Sequence, residues 1–107
     1  MKFGLKESLL INIKSIFFDF PDVQSVIIYG SRAKGNFRPG SDIDLVLKGK
    51  KLNLTTLNLI SLKIDDLLLP YSFDMSLFDH IENSELIDHI NRNGKLLYHR
   101  ENKPTLI

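Results

Sequence analysis

The chain has 107 residues and no cysteine, and its 14 Lys and Arg residues nearly balance its 13 Asp and Glu residues. A disulfide framework, a thiolate metal site and a cysteine nucleophile are therefore excluded, and the balanced charge argues against a generic nucleic-acid or anionic-membrane binder. We expect a single domain over residues 1–107, with residues 100–107 as a loose tail. No apolar run could cross a bilayer and no signal-peptide core is visible, which favours a cytoplasmic protein.

The first half of the chain predicts one helix and two strands. Apolar residues recur at steps of three and four from Leu5 to Phe20 until a proline ends the pattern, which is typical of an amphipathic helix. A buried strand is expected over residues 23–29. Residues 31–41 have the glycine, proline and basic residues of a loop, and residues 43–47 form the next predicted strand.

The second half predicts a crossover helix, a strand, a helix and a last edge strand. Apolar residues between 57 and 68 have helical spacing, and residues 71–78 alternate as a half-buried strand does. A helix over 84–93 is expected to be capped by Ser84, and residues 95–99 to add an edge strand. We therefore predict an α+β fold, a small mixed β-sheet with helices packed mainly on one face.

Additional leucines widen the apolar surface around the crossover helix. They are expected to form either an oligomer or partner face or a deeper core. These residues are Leu52, Leu54, Leu59, Leu62 and Leu69.

Two aspartates one residue apart, Asp42 and Asp44, begin the strand expected over 43–47. Because strand side chains alternate, the two carboxylates project from one face with their Cα atoms about 7 Å apart. Their mutual repulsion calls for a cation. Oxygen ligands without His or Cys suit Mg²⁺ or Mn²⁺, and protein-bound Mg²⁺ commonly takes its remaining oxygens from substrate phosphates. The pair therefore predicts a divalent-cation site that receives a nucleotide.

A third acid is expected from the strand over 71–78. Asp74 lies on the polar face of that strand and reaches the same site if this strand neighbours the one carrying Asp42. Asp79 is the competitor, but it follows the point where the alternation breaks, and an acid there more often caps or precedes a helix.

A phosphate-binding turn is expected where the first strand ends. Gly30 permits close approach of a phosphate, and Ser31 adds a hydroxyl beside the backbone N–H groups. Arg32, Lys34 and Arg38 supply cations for a triphosphate or a departing pyrophosphate. A solvated charge run is the alternative for all three, and it applies less to Arg32 because this residue is adjacent to Ser31.

The motif Gly30-Ser31, followed by Ser41-Asp42-Ile43-Asp44 and a later strand with an aspartate, resembles the signature of the DNA polymerase β-type nucleotidyltransferases. The short form GSRAKG…GSDIDL resembles the minimal nucleotidyltransferases, the antitoxins of HEPN/MNT toxin–antitoxin pairs. The resemblance implies a polymerase β palm-like fold. It also implies catalytic and metal-binding roles for Asp42, Asp44 and Asp74, and nucleotide-binding roles for Gly30, Ser31, Arg32, Lys34 and Ser41.

The same resemblance implies an activity and its partners. A nucleoside monophosphate, AMP from ATP, passes to a hydroxyl with two Mg²⁺ ions, or Mn²⁺, as cofactors. The acceptor in the antitoxin subgroup is a tyrosine of the partner HEPN toxin, an RNase. Two alternatives remain open: an antitoxin that neutralises its partner by binding alone, and a nucleotide-sensing or RNA-contacting module without chemistry. A homo- or hetero-oligomer is compatible with each.

Overall fold

A computed structural model describes residues 1–101, which form a four-stranded mixed sheet with helices on both faces. The elements in chain order are α1 (Glu7–Phe18), β1 (Ser25–Tyr29), α2 (Ser31–Lys34), β2 (Ile43–Lys48), α3 (Leu54–Asp65), β3 (Phe73–Leu77), a 3-10 turn (Phe78–His80), α4 (Ser84–Asn93) and β4 (Lys95–His99). The predicted α+β class and the mixed sheet are confirmed. Within residues 1–101, no helix is long and apolar enough to cross a lipid bilayer.

The strand order β3-β2-β1-β4 brings three strand ends to one edge of the sheet. β1 runs antiparallel to both β2 and β4, whereas β2 and β3 are parallel and joined through α3. The end of β1 therefore lies beside the beginnings of β2 and β3. Any side chain from these ends that points to the same face shares one small region.

Alternation along β2 divides the apolar residues between the two faces of the sheet. Ile43, Leu45 and Leu47 enter the main core, which includes buried residues of α1 and α3. Val46 points to the opposite face, where it packs with Tyr29 and with Ile90 of α4. Each fully buried aliphatic side chain contributes about 1.5–3 kcal/mol through burial. Two of the three longer helices thus cover one face, and α4 covers part of the other.

Two local features differ from the sequence-based expectation. The segment over 31–41 is not loop throughout, because residues 31–34 form the helical turn α2 between Gly30 and Gly35. The cap of α4 is Asn83 rather than Ser84: the Asn83 Oδ1 atom accepts hydrogen bonds from the backbone N–H groups of Glu85 and Leu86 at 2.9 and 3.2 Å. An amide oxygen one residue earlier satisfies the free N–H groups of the first turn.

Arg100, the first residue of the expected loose tail, makes several side-chain contacts with the rest of the domain. Its guanidinium group donates hydrogen bonds to the carbonyl oxygens of Val23, Phe17, Phe18 and Phe20 at 3.0 to 3.1 Å. Phe17 and Phe18 are the last two residues of α1, and a cation is favourable at a helix C-terminus. The rest of the expected tail, apart from residue 101, lies outside the described residues.

The leucines around α3 divide between the two expected environments. Leu54, Leu59 and Leu62 of α3 are 58, 50 and 60 % exposed, whereas Leu52 and Leu69 pack against the main core. An exposed leucine surface on α3 therefore remains available, and its use by a partner or a second copy stays a prediction.

Candidate active site

The turn after β1 depends on the conformation of Gly30. This residue has φ +75° and ψ −154°, a combination that side-chain-bearing residues rarely adopt, and a Cβ atom there would collide with the Asp44 Oδ2 atom. The missing side chain lets the Asp44 carboxylate lie against the backbone. It also directs the chain straight into α2, whose first N–H groups have no partner within the helix. Ser31 is the first residue of this helical turn and is half-exposed.

The three candidate acids lie at the beginnings of β2 and β3. Asp44 pairs with Asp74 directly across the parallel strands, at the usual strand spacing of about 4.8 Å. Asp42 precedes β2 and is exposed, and its charge acts on Asp44. Asp79 follows β3 in the 3-10 turn, at the other end of that strand. The structure thus brings Asp74, rather than Asp79, to the pair.

The proximity of the carboxylates affects their electrostatics. The pKa of Asp44 is raised, first because the group is partly buried, and then because of the negative charges of Asp74 and Asp42; His89 acts in the opposite direction. Within residues 1–101, no Lys, Arg or His side chain is within ion-pair distance of any of the three carboxylates. In the part of the chain that the structure describes, this negative charge therefore has no ion-pair partner.

Two further side chains, Tyr29 and His89, line the acid cluster. Tyr29 pairs with Asp44 across the antiparallel strands, and burial together with the charges of Asp74 and Asp44 raises the pKa of its phenol. His89 comes from α4, where its ring meets the Tyr29 ring edge-on with centroids 6.3 Å apart. Its Nδ1 atom lies 3.2 Å from the Asn93 amide nitrogen. No metal-ligand spacing in the sequence distinguishes His89, so sequence reasoning alone does not place it at the acid cluster.

The oxygen donors of the cluster suit a divalent cation if substrate oxygens complete the coordination. Within residues 1–101, no three Asp, Glu or His side chains already converge on one metal position. Mg²⁺ is commonly held by one or two carboxylates together with waters and phosphate oxygens, so a pair such as Asp44 and Asp74 is sufficient. The uncompensated charge and the all-oxygen donor set therefore fit Mg²⁺ or Mn²⁺ in the presence of a nucleotide.

The expected phosphate contact from Arg32 is not supported by its position. The side chain is only 2 % exposed, and its guanidinium group donates to the backbone carbonyl oxygens of Phe3, Pro39 and Ser41. A guanidinium group with its donors used in this way cannot also bind a triphosphate without leaving its site. In the sequence, a basic residue beside Ser31 suggests a phosphate ligand. In the structure, hydrogen bonds to carbonyl oxygens of other segments hold Arg32 in the interior instead.

The other predicted nucleotide-binding residues differ in their availability. Lys34 and Arg38 are exposed. The Ser41 hydroxyl accepts a hydrogen bond from the Arg38 backbone N–H at 2.8 Å, and the Ser41 carbonyl is held by Arg32. Ser41 thus shapes the loop before Asp42, while Lys34 is exposed one turn beyond Gly30.

The fold is similar to chains of solved toxin–antitoxin structures. One, described as a toxin–antitoxin with AMP-PNP, matches with TM-score 0.69 and 21% identity over 91% of this chain and 76% of that chain. A chain from the structure of a tri-AMPylated Shewanella oneidensis HEPN toxin in complex with MNT antitoxin matches with TM-score 0.66 and 17% identity. The match covers 90% of this chain and 74% of that chain. A chain of the toxin–antitoxin MntA-HepT matches with TM-score 0.65 and 18% identity, over 89% of this chain and 74% of that chain. No curated protein sequence is significantly similar to this chain.

The sequence itself also matches a family profile. The profile is described as polymerase beta, nucleotidyltransferase, and it covers residues 12–103, a range that includes all three acids and the Gly30 turn. The chain therefore belongs to the polymerase beta nucleotidyltransferase family.

Proposed function

We propose that this chain transfers AMP from ATP to a hydroxyl group of a protein, with Mg²⁺ as the cofactor, and that the acceptor is a tyrosine of a HEPN-type toxin for which it is the antitoxin. The observation that carries the proposal is the direct pairing of Asp44 with Asp74, beside a Gly30 turn that a side chain would obstruct. Family membership sets the reaction class, and the juxtaposition supports assigning the reaction to these residues.

Binding of the nucleotide is assigned to the turn after β1. The N–H groups at the start of α2 and the Ser31 hydroxyl supply donors for phosphate oxygens, and Lys34 adds a positive charge at the exposed side. Gly30 allows this turn to lie directly against the Asp44 carboxylate. Phosphates bound there lie next to the acids, which is the arrangement needed for chemistry at the α-phosphorus.

Asp42, Asp44 and Asp74 are assigned to hold Mg²⁺, which when bound neutralises phosphate charge and lowers the pKa of the attacking hydroxyl. The acceptor oxygen forms a bond to the α-phosphorus, and the bond between that phosphorus and the bridging oxygen of pyrophosphate breaks. Asp74, which is exposed on the edge strand β3, accepts the hydroxyl proton. The products are an AMP ester of the acceptor and pyrophosphate.

The assignment of a toxin partner is supported by the structural neighbours. One is a tri-AMPylated HEPN toxin in complex with MNT antitoxin, and another is a toxin–antitoxin with AMP-PNP. These descriptions belong to those proteins, whose matched chains are at most 21% identical to this one. They nevertheless make a HEPN toxin the first acceptor to test.

The test is transfer of label from α-³²P-ATP, with Mg²⁺, to a co-purified HEPN toxin and to proteins of a host lysate. Wild type and the Asp79→Asn control should label a protein band, whereas Asp42→Asn and Asp44→Asn should not. Asp79→Asn removes the same charge at the far end of β3 and therefore controls for net charge. If no α-labelled nucleoside triphosphate gives a band but the chain still inhibits the toxin, the antitoxin that acts by binding alone becomes the better account.

A further inference from the structure

Arg32 is the largest fully buried side chain among residues 1–101. A guanidinium group stays charged at every physiological pH, so it is buried in proteins only when its donors are satisfied. Here the Nη1 atom donates to the Phe3 carbonyl oxygen at 2.8 Å, and the Nε and Nη2 atoms both donate to the Ser41 carbonyl oxygen at 3.1 and 2.9 Å. A longer bond of 3.3 Å joins Nη2 to the Pro39 carbonyl oxygen.

Two aromatic rings complete the environment of this guanidinium group. Its central carbon lies 5.2 Å from the ring centroids of both Phe37 and Tyr71, a distance typical of cation–π contact. Phe37 in turn packs so closely on Gly4 that a Cβ atom there would collide with the Phe37 ring. Arg32 therefore joins the N-terminal turn, the loop between α2 and β2, and the segment that leads into β3.

The hydrogen bonds from Arg32 to the Ser41 carbonyl oxygen affect the acid cluster. The Ser41 peptide bond leads directly to Asp42, so two donors on this one oxygen fix the orientation of the peptide plane from which Asp42 begins. Arg32 itself is the second residue after Gly30. The same side chain therefore links the phosphate-binding turn to the strand that carries Asp42 and Asp44.

We propose that Arg32 is a positioning residue for the active site, which contacts no substrate and holds the Ser41-Asp42 peptide at a fixed place relative to the Gly30-Ser31 turn. This inference rests on the proposed nucleotidyltransferase function. Arg32 acts through Asp42: when the carbonyl is released, the loop over 36–42 moves, and the Asp42 carboxylate would no longer be placed to hold Mg²⁺ beside the phosphates bound at the turn.

Arg100 provides a matched control within the same chain. It also donates to several backbone carbonyls and also stacks on two aromatic rings, with its central carbon 5.4 Å from the Phe18 centroid and 5.8 Å from the Tyr98 centroid. It lies at the beginning of β1, whereas the acid cluster lies beyond the other end of that strand. A purely structural arginine should behave like Arg100.

The experiment compares Arg32→Lys and Arg100→Lys, since a lysine keeps the charge but lacks the planar fork. Thermal unfolding is expected to show a loss of stability in both. Calorimetric binding of AMP-PNP with Mn²⁺ should weaken by about tenfold or more in Arg32→Lys, as for other residues that orient metal ligands, and stay within about twofold in Arg100→Lys. Amide hydrogen exchange should become faster over residues 36–42 in the first variant and over residues 17–24 in the second.

Equal AMP-PNP affinities of the two variants at equal loss of stability would overturn the positioning role, as would unchanged exchange over residues 36–42 in Arg32→Lys. If Arg32→Lys does not fold, Phe37→Leu removes one stacking ring and should change binding and exchange in the same direction by a smaller factor. Absence of AMP-PNP binding in wild type would instead overturn the proposed function. The two failures are therefore distinguishable.

Discussion

Asp44 and Asp74 lie directly opposite each other on neighbouring parallel strands. Folding therefore brings two carboxylates together, with Asp42 close by, and raises the pKa of Asp44 through burial and these charges. An acid whose pKa rises on folding makes the folded state less stable once the group is ionised. The arrangement opposes folding unless a cation binds, which leads to the first two predictions.

Asp44→Asn should stabilise the protein at neutral pH. The folded state binds the Asp44 proton more tightly than the unfolded state does, so the stability of wild type falls as pH rises through the range between the two pKa values. Thermal unfolding followed by circular dichroism should give a higher Tm for the variant at about pH 7, and the gap should close below about pH 3.9, the ordinary aspartate value. A lower Tm at neutral pH would contradict the prediction, and Asp79→Asn is the control.

Mg²⁺ or Mn²⁺ together with AMP-PNP should raise the Tm of wild type. A ligand that binds only the folded state stabilises it by about 2.7 kcal/mol when present at 100 times its Kd. The shift should be lost in the double variant Asp42→Asn/Asp44→Asn. Sodium chloride at matched ionic strength is the control for screening, and a shift of equal size with that salt would argue against a cation site.

Gly30→Ala should abolish transfer, whereas Gly35→Ala should not. Both glycines have positive φ, +75° and +84°, but a Cβ atom at Gly30 meets Asp44 Oδ2 and one at Gly35 meets nothing within 4 Å. Backbone strain is expected to cost Gly35→Ala about 1 kcal/mol of stability and Gly30→Ala about 1–3 kcal/mol. Denaturant unfolding of both variants measures the cost of backbone strain, and label transfer measures the effect of obstructing the site. Equal activity of the two would show that the close approach to Asp44 is unimportant.

Lys34→Gln should raise the KM for ATP by about two- to fivefold and leave kcat nearly unchanged, because an exposed charge contributes at most about 1 kcal/mol. The difference from wild type should shrink as salt concentration increases. Lys51→Gln removes an equally exposed charge beyond the opposite end of β2 and should have no effect. Steady-state kinetics at two salt concentrations provide the measurement, and a large fall in kcat would assign Lys34 a different role.

Strand alternation made much of the acid cluster predictable. The one-residue spacing of Asp42 and Asp44 predicts that both carboxylates project to the same side where the strand begins. The apolar pattern of α3 predicted a crossover, which makes β2 and β3 parallel neighbours, and alternation in β3 then favoured Asp74 over Asp79. Local periodicity determined each of these steps.

Contacts between distant segments could not be predicted in the same way. The burial of Arg32 depends on the carbonyl of Phe3, 29 positions earlier, and on the ring of Tyr71, which follows α3. Likewise, His89 packs on Tyr29 and its charge acts on the pKa of Asp44 because α4 lies on the less covered face of the sheet. An arginine in a glycine- and proline-containing loop has the composition of a solvated residue, so a sequence pattern alone favours exposure.

The attachment of Arg100 has a consequence for folding during synthesis. β1 lies in the interior of the sheet, but its β4 neighbour is separated from it by more than 60 residues of chain. Until residues 95–100 have left the ribosome, the growing chain presents β1 with one unpaired edge, and such edges readily pair with other molecules. Completion of the sheet and closure of the Arg100 contacts coincide, so the pairing of β4 both stabilises the domain and covers the open edge of β1.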